Sequence, residues 1–249
     1  MESLLLRIAK ERFTHPTTQV VHFVDNEEAN NILNNLDKYP HAFVLACLMD
    51  RQIKAERAWA IPYAIYKELN SFHLADLSKV GLSELKRIFK VNRLHRFNDT
   101  MASIFHDAVL RIKNIYEGNA AKIWSGSPSS SAVVYKFLEF HGSGIKISTM
   151  AANILARQFR IPFSDYYSVD ISPDVQIIRV MKRMGFVPSG ANTDMVIYKA
   201  RELNPEFPGL IDFSCWEIGR KWCRPRSPNC GDCIVASECK KVISPESDQ

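Results

Sequence analysis

Residues 219–241 read GRKWCRPRSPNCGDCIVASECKK, and this stretch decides how the rest of the chain is read. Cys223, Cys230, Cys233 and Cys239 follow one another as C-x6-C-x2-C-x5-C. Thiolates are soft ligands, suited to iron–sulfur clusters and to zinc. Structural zinc sites usually carry two C-x2-C knuckles or a mixed Cys/His set. This loop has one knuckle, wider gaps on either side and no histidine. The spacing therefore points first to the four ligands of a [4Fe-4S] cluster, with zinc and four metal-free thiols as the alternatives. Arg220, Lys221, Arg224, Arg226, Lys240 and Lys241 surround the thiols, against the acidic residues Glu217, Asp232 and Glu238. Such basic residues offset thiolate charge and also suit phosphate. Cys47 and Cys215 lie in apolar helical stretches and are expected to be buried small hydrophobes.

The remainder of the chain fits a globular protein in a reducing compartment. It has 249 residues, 46% hydrophobic and 24% charged, enough for one large domain or two smaller ones and too apolar for wholesale disorder. A net charge of +5 permits an anionic partner such as nucleic acid without demanding one. The first residues, MESLLLRIAKERF, have too short an apolar run for a signal peptide or a membrane span. No later stretch approaches a membrane-spanning length, so the protein is read as soluble and cytoplasmic, with no membrane partner.

Outward from the loop the pattern is helical almost throughout. Apolar residues recur at helical spacing over 26–36, 42–49, 55–69, 83–89 and 96–116, then over 132–140, 146–159, 174–184, 193–202 and 208–222. The serine-rich 125–131 segment breaks the pattern and can cap the helix after it. No β-alternation persists over several segments, so the expected fold class is all-α. Residues 160–173 form the irregular stretch.

Between two of these helices runs Phe140-His141-Gly142-Ser143-Gly144-Ile145-Lys146. Glycines at 142 and 144 permit a tight turn and a close backbone approach to a ligand. The turn feeds a helix N-terminus, whose unpaired N–H groups suit a phosphate.

Taken together and in order, these features resemble the endonuclease III family of helix-hairpin-helix DNA glycosylases. The cysteine spacing follows Gly219-Arg220 as the family's cluster loop follows Gly-Arg. Gly142, Gly144 and Lys146 match its G-x-G-x-K hairpin. Asp174 precedes Arg179-Val180 at the family's interval, and Gln52 follows an apolar helix as does the glutamine that fills the space of an extruded base. The resemblance covers about Pro40 to Lys241. The chain departs from the pattern at Phe140-His141, where the family has Leu-Pro, and at Gln176, where a histidine is common. The interval from Lys146 to Asp174 is longer, which creates a rival carboxylate in Asp170.

The resemblance implies a two-lobed fold: a helical barrel over residues 40–164 holding the hairpin, and a second lobe from 1–39 and 165–249 holding the cluster loop. It places the active site in the cleft between them, with Lys146 and Asp174 as the catalytic pair and Gln52, Gly142 and Gly144 contacting DNA. It implies a monomeric base-excision glycosylase acting on double-stranded DNA that contains a damaged base or an abasic site. A carboxylate near C1′ would stabilise positive charge on the sugar, and a lysine amine could form a Schiff base and permit strand scission. The alternatives are a monofunctional glycosylase, a non-catalytic iron–sulfur DNA-binding protein and an iron–sulfur electron carrier. Glu56, Arg57, Trp59 and Tyr63, on the helix after Gln52, are expected to be helix-face residues with a lesser prospect of reaching DNA.

Overall fold

The computed structural model describes residues 2–15 and 20–243. The expected second lobe therefore includes residues (1, 16–19 and 244–249) that lie outside the described part. Among the described residues every regular element is helical. In chain order the helices are α1 (Leu4–Thr14), α2 (Glu27–Asn34), α3 (Pro40–Met49), α4 (Ala55–Trp59), α5 (Ile61–Leu69), α6 (Leu74–Leu77) and α7 (Leu82–Val91). They continue as α8 (Asn98–Ile115), α9 (Ser130–Leu138), α10 (Ile145–Arg157), α11 (Val175–Arg183), α12 (Thr193–Leu203) and α13 (Asp212–Lys221). Short 3-10 turns occur at Ala120–Ile123 and Pro208–Ile211. No described helix is long and apolar enough to cross a membrane.

Most expected helices are present, and the differences have local causes. The segment expected as one helix over 55–69 is two, broken at Ala60. Pro62 sits in the first turn of α5, where its missing N–H costs nothing; inside a continuous helix its ring would strike the carbonyl four residues back. The segment 208–222 likewise begins as a 3-10 turn with Pro208 leading and becomes α-helical only at Asp212. Helix α6 and the 3-10 turn at Ala120 are too short to show a period.

The chain forms two compact units. One comprises Thr18–Pro128 and Tyr135–Ile147, the other Met1–Thr17, Ser129–Val134 and Ser148–Gln249. In the first, α3 is the hub. Its sequence, PHAFVLACLM, is apolar all round and all ten residues are buried, which is the signature of a helix surrounded by others. It packs against α2, α4, α5 and α8. Helix α8 buries Met101, Ile104, Phe105, Ala108 and Ile112 along one stripe, and α7 answers with Leu85, Ile88 and Phe89. Phe89 meets Phe105 edge-on, ring centroids 6.0 Å apart.

In the second unit α11 crosses α13 closely. Gly219 makes that approach possible: a Cβ there would lie 2.7 Å from Cβ of Gln176 and 3.1 Å from its carbonyl oxygen. Helix α1 packs beside α13. Arg12 on α1 pairs with Glu217 on α13 at 2.6 Å.

Candidate functional site

The first unit holds the hairpin, between α9 and α10. Gly142 has φ +80°, a region that costs a residue with a Cβ about 1–2 kcal/mol. A Cβ there would also meet Cδ1 of Ile104 at 2.6 Å. The Gly142 carbonyl accepts from Nη1 of Arg51 at 3.2 Å. Gly144 differs, with nothing within 4 Å of where its Cβ would be. The turn needs a glycine at 142 and merely leaves room at 144. Phe140 is buried, stacks on Tyr116 at 6.1 Å and lies under the Arg111 guanidinium. Nδ1 of His141 contacts Asp107 at 2.7 Å. These contacts give the Phe-His pair a packing role of its own.

Lys146 is the second residue of α10. Its Nζ donates to Oδ2 of Asp50 at 3.1 Å and lies 3.4 Å from the Asp50 carbonyl. The Asp50 side chain is 10% exposed and that of Lys146 31%. Asp50 is the C-cap of α3, so a buried carboxylate at the end of the hub helix grips the lysine that leaves the hairpin. Sequence reasoning did not single out Asp50; its position as the first acidic residue after a wholly apolar helix was the available signal. Two residues on, Gln52 is exposed with φ +51°. A glutamine in left-handed backbone is uncommon and is kept only where the surroundings hold it.

Glu56, Arg57, Trp59 and Tyr63 are accounted for largely by packing. Trp59 stacks face to face on Phe23 at 4.2 Å. The Arg57 guanidinium donates to the carbonyls of Arg93 and Leu94, and Tyr63 bonds to Glu28.

The second unit holds the carboxylates. Asp174 is the N-cap of α11, its Oδ1 accepting from the Gln176 N–H at 2.9 Å. Asp170 is engaged otherwise: Arg201 pairs with it through both nitrogens, Nε to Oδ1 at 2.6 Å and Nη2 to Oδ2 at 2.7 Å. Such a bidentate fork satisfies both carboxylate oxygens. The irregular stretch is anchored at its start as well. The Asp165 carboxylate accepts the Ser130 N–H at 3.0 Å and its hydroxyl at 2.7 Å.

Cys223, Cys230, Cys233 and Cys239 all line one pocket, walled by Val180, Met184, Ile218 and Val235. Burial pushes the Cys233 and Cys239 thiols up, a backbone N–H near each pulls back down, and the neighbouring cysteines push up again. N–H donors lie near two of them: Arg183 Nη1 is 3.6 Å from Sγ of Cys223, and the Lys241 N–H is 3.4 Å from Sγ of Cys239. Among the described residues no three Cys, His, Asp or Glu side chains are grouped so as to hold a metal ion. A soft all-sulfur donor set around a common apolar pocket, with N–H groups directed at sulfur, fits a thiolate-bound cluster.

Two arginines on α11 suspend this loop. Arg179 Nε donates to the Cys223 carbonyl at 2.7 Å and its Nη2 to the Gly219 carbonyl at 2.9 Å. Arg183 donates to the carbonyls of Arg224 and Pro225 at 2.8 and 3.0 Å. Both are buried. The basic residues at 220, 221, 224, 226, 240 and 241 are exposed, while Glu217 and Glu238 pair with Arg12 and Arg7 on α1. Lys221 also pairs with Glu217 at 2.7 Å and Asp232 is exposed, so the outer face of the loop carries a net excess of basic side chains. Cys47 and Cys215 are fully buried, and burial pushes both thiols up, as expected of inert core cysteines.

The described residues form an all-helical fold with a glycine hairpin leading into a lysine-bearing helix and a four-cysteine loop behind an aspartate-capped one, and solved helix-hairpin-helix DNA glycosylases share this fold. Within that class the chain is similar to endonuclease III. A structure of endonuclease III trapped covalently on DNA aligns with a TM-score of 0.64 and 16% identity, over 95% of this chain and 93% of that one. A non-covalent endonuclease III–DNA complex aligns at 0.63 and 16%, over 95% and 92%. A thermostable thymine-DNA glycosylase aligns at 0.60 and 16%, over 86% and 94%. No protein-family model and no curated protein sequence matches the chain.

Proposed function

We propose that this protein is a DNA base-excision glycosylase that cleaves the N-glycosidic bond of a damaged or mismatched base, with associated abasic-site lyase activity. The observation that carries the reading is the Lys146–Asp50 pair at the foot of the hairpin. Here a primary amine stands beside a helix N-terminus and next to a buried carboxylate within reach of its proton. In this reading Lys146 and Asp174 are the two catalytic residues.

The base must first leave the stack. The Gly142–Gly144 hairpin and the basic loop grip backbone phosphate, and exposed Gln52 fills the vacated space. As the glycosidic bond breaks, its electron pair departs with the base and positive charge grows on the sugar. Asp174 stabilises that charge. The Lys146 ammonium passes one proton to Asp50 and the freed amine attacks C1′, forming the N–C1′ bond as the base leaves. The aminal so formed loses an N–H proton as its C1′–O4′ bond breaks and O4′ takes up a proton, which gives the Schiff base; loss of a C2′ proton to a base then expels the 3′ phosphate. Cys223, Cys230, Cys233 and Cys239 would hold a [4Fe-4S] cluster, which when bound would cross-link the loop and keep its basic face in shape.

The same ion pair supports a second reading. A lysine that stays paired as an ammonium would contact DNA only, and Asp174 would activate water in a monofunctional glycosylase. Base release on duplexes bearing an oxidised pyrimidine, an alkylated purine or a G·T mismatch, with wild type and Asp174→Asn, tests the glycosylase. Release abolished by the substitution is the expected result. Duplex binding without release across the panel points instead to a DNA-binding protein. Borohydride trapping on abasic-site DNA separates the two enzymes: an adduct lost in Lys146→Ala supports the lyase, and release without an adduct rejects it.

A further inference from the structure

The residues leading into α11 are held by buried polar groups that pattern alone does not explain. Asn153 on α10 donates to the Asp170 carbonyl at 2.8 Å, and the Gly209 N–H donates to the Val169 carbonyl at 2.8 Å. The strongest hold is on Ser172. Its N–H donates to Oδ1 of Asp212 at 2.7 Å, and its hydroxyl donates to the same oxygen. Ser172 is 2% exposed and Asp212 5%.

Asp212 opens α13. An aspartate in a helix's first turn ordinarily serves that helix, as an acceptor for its free N–H groups or a partner for its dipole. Here one carboxylate oxygen takes two donors from a single residue forty positions away in sequence. Burying a carboxylate for packing alone is costly, so the arrangement needs another reason. The electrostatics name the neighbours. Burial pushes the Asp212 carboxyl up; Arg157 and the Ser172 hydrogen bonds pull it down; Asp174 pushes it up again. Cys215, on the same helix, feels the Asp212 charge in turn. Burial draws the Arg157 guanidinium down to about 10, and its enclosed Nη1 has no hydrogen-bond partner among the described residues. Asp174 is tied to the held residue directly, its N–H donating to the Ser172 carbonyl at 2.7 Å. Ser172, Pro173 and Asp174 thus form one tight turn, clamped from behind at its first residue and capping α11 with its last.

We propose that Asp212 is a positioning residue that, through its two hydrogen bonds from Ser172, sets the Ser172–Asp174 turn and so fixes where the Asp174 carboxylate is presented. The inference rests on the reading of Asp174 given above.

The test is single-turnover base release, with duplex affinity measured separately, on whichever duplex of the lesion panel wild type cleaves fastest. Ser172→Ala removes the hydroxyl bond and leaves the Ser172 N–H bond to Asp212 and the buried carboxylate in place. It is expected to slow release about tenfold with duplex affinity unchanged. Asp212→Ala is expected to cost about a hundredfold, the order found when a reacting group is misplaced by an ångström. Asp212→Asn keeps an acceptor for both Ser172 donors and is expected to recover at least a tenth of wild-type rate. If the Asp212 variants fail to fold, Ser172→Ala decides alone. Wild-type rates in folded Ser172→Ala and Asp212→Ala, or a loss of rate matched by an equal loss of duplex affinity, overturn the proposal. Asp174→Asn run beside them separates the two ideas. If it retains full rate, the catalytic reading of Asp174 fails. If it is inactive while the other variants are not, only the positioning role fails.

Discussion

Lowering the pH should loosen the first unit through one residue, His41. The imidazole lies inside the hub helix, 3% exposed, with Nε2 at 2.7 Å from the Phe72 carbonyl and its ring stacked on Phe72. Burial draws its pKa down to about 4, partly offset by the Phe72 hydrogen bond and assisted by His73. The folded pKa is thus below the unfolded value of 6.5. Between the two the unfolded chain binds a proton that the folded chain refuses, so stability falls as pH drops from 6.5 toward 4. From these values the loss attributable to His41 is about 2 kcal/mol at pH 5 and about 3 kcal/mol at pH 4. His41→Gln keeps a side-chain donor for the Phe72 carbonyl and does not titrate. Urea unfolding at pH 7 and pH 5 measures the effect, since carboxylates common to both proteins cancel in the difference. The drop in stability should be about 2 kcal/mol smaller in the variant. Equal drops in the two proteins would refute the argument, whatever offset the substitution causes at pH 7.

The two hairpin glycines should separate cleanly. Gly142→Ala, with positive φ and Ile104 in the way, is expected to lower stability by about 2 kcal/mol, while Gly144→Ala stays within about 0.5 kcal/mol, both read by thermal unfolding. Asp50→Asn should slow borohydride trapping by about tenfold or more while leaving the protein folded, because it removes the carboxylate beside Nζ of Lys146. Asp170→Asn should leave base release near wild type, since Arg201 already occupies both of its oxygens. Arg183→Ala removes the donors to the Arg224 and Pro225 carbonyls and should destabilise by about 3 kcal/mol. The same variant should hold less iron and sulfide per chain than wild type when both are purified anaerobically.

Much of the fold was legible because its signals are local. The apolar run of α3 and the stripe on α8 each act within a turn or two of helix; Pro62 acts as locally, yet the 55–69 segment reads in sequence as one helix. Asp174 was readable as a cap for the same reason: an aspartate ahead of an apolar-periodic segment needs only its own helix to justify it. That Cys223, Cys230, Cys233 and Cys239 border one pocket was legible because all four lie in one short loop. What was not legible depends on long-range pairing. Nothing near Asp50 in sequence announces Lys146, and nothing near Asp212 announces Ser172; both meetings are made by helix packing. The Asp170–Arg201 fork has the same character, and it separates two aspartates that sequence could rank only by register. Gly219, which was legible as part of a Gly-Arg pair, owes its presence to the Gln176 side chain and carbonyl lying against it.

Helix α11 carries a mechanical implication. Asp174 caps its first turn, and Arg179 and Arg183, farther along the same rod, tether the backbone of residues 223–225. Nine helical residues span about 13 Å and bend little over that distance. Strain imposed on the cysteine loop, by oxidation of a thiol or by a load on its basic face, therefore has a stiff path to the turn that presents the carboxylate. The tether works in both directions, so a force applied at Asp174 would be felt at the sulfurs.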